Sequence, residues 1–184
     1  ANALVDVTTS AGSTVKFEKS VKAATLTLNA TGTTTFEDAV TLTGALAVAN
    51  GSTVTLGAGI TAGETVFTSV TGGSSFTTAA TVNLPQTFTS GVITLVDDSG
   101  ATAAADALLL TLNSNVLANY SAAANASDTG KLDITATRKS SSAIASALGI
   151  NAQAAVALDN AATALATGDA VALTALNTAL VAGG

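Results

Sequence analysis

Through its first half the chain alternates apolar side chains with hydroxyl-bearing ones in short bursts. This is the period-two pattern of strands with one dry and one wet face. Three bursts open alike: Gly12-Ser13-Thr14-Val15-Lys16-Phe17, Gly32-Thr33-Thr34-Thr35-Phe36 and Gly51-Ser52-Thr53-Val54-Thr55-Leu56. A weaker fourth stands at Gly73-Ser74-Ser75-Phe76. The leading glycines are 20, 19 and 22 residues apart, a near-constant period in the range of stacked repeats. A second strand-like piece recurs within each period, at Ala24 to Leu28, Gly44 to Val48 and Thr65 to Val70.

A single repeat of this kind has no closed core, so its apolar face is buried only by stacking on neighbours. The clusters Asn29-Ala30-Thr31-Gly32, Asn50-Gly51 and Thr71-Gly72-Gly73 supply corners where φ turns positive. A sandwich of antiparallel hairpins is the rival, because Asn50-Gly51 also suits a type I′ turn. Hairpins impose no constant spacing, however. The expectation is a mainly β chain whose residues 1–98 form a right-handed parallel β-helix, a solenoid.

The register loosens after Pro85, the sole proline. Gly91 to Asp98 reads as a buried strand, Ala101 to Ala107 as a loop of small residues, and Ala107 to Leu112, Asn119 to Ser121 and Lys131 to Arg138 as further strands. Residues 99–140 are therefore expected to be an irregular β cap. Beyond Ser142 the period becomes helical. Leu158, Ala162 and Leu165 share one face of a helix that Asn151 caps, and Asp169 caps another carrying Val171, Leu173, Leu176 and Leu180. Gly183-Gly184 ends it. Residues 141–184 are thus expected to be a helical tail.

Composition narrows the chemistry. Hydrophobic residues make up 48%, yet aromatics only 3% and charged residues 10%, a mixture suited to thin layers of short strands rather than a conventional enzyme core. Cys and His are both absent, which removes disulfides, thiolate metal sites and the Ser/His/Asp and Cys/His arrangements. The net charge of −6 with only six basic residues argues against a nucleic-acid groove. The groups Lys16, Lys19, Lys22 and Lys131, Arg138, Lys139 read as solvated faces. No run of roughly 18 apolar residues offers a membrane span. No basic stretch with an apolar run behind it stands at Ala1, so a secreted chain is expected to have lost its leader.

The pairs Glu37-Asp38 and Asp97-Asp98 are the adjacent carboxylates, candidates for Ca²⁺ binding or acid/base work. Neighbouring residues on a strand face opposite ways, so turn or edge solvation is the plainer account. Ser140-Ser141-Ser142 has no base to activate it and reads as a hinge. Four triplets fit the glycosylation acceptor pattern, beginning at Asn29, Asn50, Asn119 and Asn125. Stacked at the strand spacing of about 4.8 Å, Thr14, Thr34 and Thr53 would form a flat hydroxyl array suited to ice, a glycan or another copy. The plainer account is that Thr forms strands well and keeps an exterior wet.

One resemblance emerges from the second half. Val92 to Val96, a variable strand-loop section, Gly130-Lys131-Leu132-Asp133-Ile134 ending near Arg138, and then Ala147-Leu148-Gly149-Ile150-Asn151-Ala152-Gln153-Ala154-Ala155-Val156-Ala157-Leu158-Asp159 resemble the C-terminal end of a bacterial autotransporter passenger. The resemblance implies a β-helix with an autochaperone-like cap, and an Ala-rich segment leading to a translocating barrel. No aromatic-girdled barrel strands follow within this chain.

The resulting expectation is a non-enzymatic, extracellular or bacterial cell-surface module, structural or adhesive, without cofactor or metal. Its expected partners are other copies of itself, assembling end to end, or a cell-surface or glycan ligand. The alternative is a glycan- or ice-binding module acting through Thr14, Thr34 and Thr53.

Overall fold

The computed structural model describes residues 6–76, 80–98 and 109–182. The chain is mainly β, with parallel sheets followed by a short helical region. The first sheet joins β1 (Val7–Thr8), β4 (Leu26–Leu28), β7 (Leu46–Val48) and β10 (Ser75–Phe76) in that order. The second joins β2 (Thr14–Phe17), β5 (Thr33–Phe36), β8 (Thr53–Leu56), β11 (Ala80–Asn83) and β13 (Leu110–Leu112). The third runs β3 (Val21–Ala23), β6 (Val40–Leu42), β9 (Thr65–Ser69) and β12 (Gly91–Asp98), and then β15 (Lys131–Arg138) and β14 (Ala118–Ala124). Up to β12, each strand pairs in parallel with the strand three places further along the chain.

Like residues therefore stack on like in continuous columns. Phe17 lies over Phe36 with ring centroids 5.2 Å apart and nearly parallel, and Phe67 meets Phe36 edge-on at 5.0 Å. Leu26 stands beside Leu46, Leu28 beside Val48, Val48 beside Phe76, and Val40 beside Phe67. All of these side chains but Phe17 are buried, and together they fuse the three sheets into one core. At the end nearest residue 6 the burial falls off: Val7, Val15, Phe17 and Val21 are only half-buried, and among the described residues no strand covers them on the far side.

The other end is closed differently. β15 returns antiparallel on β12, with a register shift between Thr94 and Val96, and β14 pairs antiparallel with β15. A buried polar cluster underlies this hairpin. The Tyr120 hydroxyl donates to the Phe88 carbonyl at 2.9 Å and accepts from Asn115 Nδ2 at 2.9 Å, and its ring stacks on Phe88. Asn113 acts as a substitute strand for Leu84, accepting from its N–H at 2.8 Å and donating to its carbonyl at 3.1 Å.

Three helices follow: α1 (Ser141–Leu148), α2 (Ala152–Gly168) and α3 (Ala170–Ala182). Ser140, Asn151 and Asp169 cap them, accepting from Ala143, Ala154 and Ala172 respectively. Gly149 takes the left-handed conformation that ends α1. Their small core joins Leu117, Ile144, Ala155, Ala162 and Leu173. Among the described residues no single helix is long and apolar enough to cross a membrane.

Several sequence expectations change. The strand within the fourth signature, Ser75–Phe76, lies beside β7 in the first sheet, and the second sheet is continued by Ala80–Asn83. The piece around Thr65 belongs to the third sheet, whose short members Val21–Ala23 and Val40–Leu42 are too brief for alternation to reveal. Ser140-Ser141-Ser142 lies at the junction of β15 and α1, where Ser140 caps the helix and the other two form its start. The loop expected at Ala101 to Ala107 and the stop at Gly183-Gly184 lie outside the described residues.

Candidate functional site

The exposed face of the second sheet carries two columns of polar side chains. Pairing in register places Thr14 beside Thr33, Thr33 beside Thr53, Thr53 beside Thr81 and Thr81 beside Thr111. Two residues further along each strand, Lys16, Thr35, Thr55 and Asn83 form the neighbouring column. All of these are exposed or half-buried.

Of the array expected from sequence, Thr14 and Thr53 stand in the first column and Thr34 does not. Thr34 is 2% exposed and pairs in register with Val15 and Val54 inside the core. The hydroxyl that continues the array is Thr33, and Thr81 and Thr111 extend it to five members. The corners set this register. Gly12, Thr31 and Gly51 hold the left-handed conformation, with φ of 70°, 59° and 75°, so Thr31, and not Gly32, is the counterpart of the two glycines. Aligning on Gly32 slips the strand by one residue, which exchanges its faces. The signal that finds the right register is Phe36: with its ring inside, Thr34 two residues before it is inside as well.

Asn83 Nδ2 lies 3.4 Å from Thr55 Oγ1 within the second column. Lys16 Nζ sits 3.1 Å from Glu37 Oε1 and 3.7 Å from Glu18 Oε1. Its hydrogen bond to Glu37 raises the ammonium above its ordinary value.

The carboxylate pairs diverge. Asp97 faces outward and pairs with Lys131 at 3.4 Å, while Asp98 is buried and accepts from the Ser74 N–H. Glu37 is engaged by Lys16, and Asp38 accepts from the Ala39 N–H at 2.7 Å. Among the described residues no three His, Cys, Asp or Glu side chains form a group able to hold a metal ion. The basic residues near the cap are not a solvated face. Arg138 pairs with Asp159, and Lys139 Nζ donates to the Asn115 carbonyl at 2.8 Å.

The acceptor triplets are partly committed to structure. Ser52 is buried, with its hydroxyl on the Leu28 and Asn29 carbonyls, and Asn29 Nδ2 donates to the Thr9 carbonyl at 2.7 Å. Asn125 Nδ2 donates to Asp133 at 2.6 Å, whereas Asn119 and Asn50 are exposed. A groove of about 260 Å³ lies between the loops around Thr61 and Phe88, lined by Ile60, Thr61, Thr87 and Ser90. It falls below the usual size of small-molecule sites and has no ionisable side chain in its lining.

Compared with models of protein families, with curated proteins and with solved structures, the chain finds no match.

Proposed function

We propose that this chain is part of a right-handed parallel β-helical rod, a non-enzymatic structural or adhesive module of the bacterial cell surface similar to the end of an autotransporter passenger. The observation that carries the reading is the regularity of pairing. Up to β12 each strand joins the third one after it, and the columns from Thr14 to Thr111 stay in register across five strands. Parallel strands linked through crossovers are right-handed in nearly all proteins, which supports the hand. The two ends support the placement. One leaves Phe17 half-covered, and the other is closed by an antiparallel hairpin and helices. The absence of His and Cys from the sequence favours holding a shape over running a reaction.

The test is display. Placed between a secreted reporter and an outer-membrane translocating barrel, the chain should deliver the reporter to the cell exterior and itself resist added protease. Retention of the reporter inside the cell, or complete digestion of the chain, would overturn the reading.

A second reading follows from the five-membered threonine column: a flat face that binds a glycan or ice. Thr33→Lys should then abolish binding to arrayed glycans and to ice crystals while leaving the circular dichroism spectrum unchanged.

A further inference from the structure

The three sheets have six edges among the described residues, and five of them are short or charged. β1 and β10 have two residues each and β13 three, while β2 carries Lys16 and β3 carries Lys22. Shortness and lysine are the usual protections against edge-to-edge pairing. β14 has neither. It has seven residues, Ala118-Asn119-Tyr120-Ser121-Ala122-Ala123-Ala124, with no charge, proline or glycine.

The free side of β14 can be read from its pairing with β15. Lys139 N–H donates to the Leu117 carbonyl at 2.9 Å and Asn125 N–H to the Lys131 carbonyl at 2.8 Å. In an antiparallel pair the bonded positions alternate. The odd-numbered residues of β14 therefore bond to β15 and the even-numbered ones turn their N–H and C=O groups away from it; Ala118 is covered, at 2% exposure, so the open side is presented by Tyr120, Ala122 and Ala124. No other described strand pairs there.

We infer that a second copy of this chain occupies that edge, β14 pairing antiparallel with its counterpart about a two-fold axis at Ser121. In that register Tyr120 faces Ala122 of the other copy and Ala122 faces its Tyr120, each such pair exchanging two hydrogen bonds. The third sheets of the two molecules become one. A copy suits the edge better than a loose peptide because its strand is already ordered within a sheet, which lowers the entropy cost of association. Charge favours the same arrangement. The hairpin tip gathers Asp97 and Asp128 around one lysine, Lys131. The opposite end holds Arg138 and Lys139 against one carboxylate, Asp159. Antiparallel pairing brings the acidic tip of each copy beside the basic end of the other.

The chain has no cysteine, so a single introduced thiol gives a clean test. Ser121→Cys places two thiols opposite each other in a non-hydrogen-bonded pair, where Cα atoms lie about 4.5 Å apart, within disulfide range. It should yield a covalent dimer on mild oxidation. Ala123→Cys, whose neighbour is Asn119 of the other copy, should not. Sedimentation equilibrium of the full chain should show a monomer–dimer equilibrium weakened by salt, and Ser121→Lys should raise its dissociation constant about fivefold without altering the circular dichroism spectrum. A chain that stays monomeric at every concentration overturns the inference. So does a dimer that cross-links equally through positions 121 and 123, and so does a monomer that binds a synthetic 118–124 peptide but not itself. None of these readouts depends on the display assay.

Discussion

Arg138, the last residue of β15, closes its guanidinium on Asp159 in α2: Nε lies 2.9 Å and Nη2 2.7 Å from the same carboxylate oxygen. Nη2 also donates to the Asp159 carbonyl and to the Thr163 hydroxyl, each at 3.0 Å, and Nη1 reaches Thr89 Oγ1 at 3.4 Å. One side chain thus ties the hairpin and the loop around Phe88 to the helices. This polar clamp adds to the apolar contacts of Leu117, Ile144 and Leu173 that dock the helices. Arg138→Ala should cost about 1–3 kcal/mol. Arg138→Lys should recover little of it, because an ammonium cannot reproduce the fork. Hydrogen exchange locates the loss: α2 amides should exchange faster while those of β6 and β9 do not.

Thr31 is the one described residue other than glycine with positive φ. Its branched side chain is strained there, by about 1–3 kcal/mol. Thr31→Gly should relieve that strain and raise stability by about 1 kcal/mol, partly offset by the greater freedom of glycine in the unfolded chain. Gly51→Thr, which imposes the same conformation on a branched residue, should lower stability. Denaturant midpoints of the two variants should move in opposite directions.

The register of the second sheet makes a paired prediction at adjacent positions. Thr33→Lys adds a charge to an outward column and should change stability by no more than about 0.5 kcal/mol. Thr34→Lys drives the same charge between Val15 and Val54 and should cost about 3 kcal/mol or more. Equal effects in urea unfolding would mean that the strand presents the other face.

Phe36 is fully buried between Phe17 and Phe67, whereas Phe17 is only half-covered. Phe36→Ala should cost about 3–5 kcal/mol and Phe17→Ala about 1–2 kcal/mol. Adding a further repeat ahead of Asp6 should narrow the difference by covering Phe17.

Burial pushes the Tyr120 phenol up from 10.0 to about 12, against a smaller opposing effect of its Asn115 hydrogen bond. The folded chain therefore resists losing this proton more than the unfolded chain does. Its stability contribution is full below pH 10 and is lost as pH rises through about 12. Tyr120 is the sole tyrosine, so tyrosinate absorbance during alkaline titration reads this group alone. A midpoint near 10 would place the ring in water. Tyr120→Phe leaves the Phe88 carbonyl and Asn115 without their partner and should cost about 1–2 kcal/mol.

Local chemistry alone was enough for β12, β15 and the caps at Asn151 and Asp169. Each depends on neighbours within a few residues: a run of apolar residues for Gly91–Asp98, strict alternation for Lys131–Arg138, and an oxygen-bearing side chain before each helix. The polar columns were only partly legible. Thr33, Thr34 and Thr35 are chemically alike, so the run itself does not say which face is outside, and Gly32 lies one residue beyond the corner, which is Thr31.

The sequence by itself determined that this chain forms short strands with one dry face, repeats them about every twenty residues, and ends in capped helices, because period and capping are properties of contiguous residues. Only the tertiary structure decided that three sheets share the repeat, that Thr33 and not Thr34 joins Thr14 and Thr53, and that Arg138 faces Asp159. Those choices rest on burial of Phe36 against Phe17 and Phe67 and on pairing between strands some twenty to forty residues apart. Such contacts exist only once the strands have stacked.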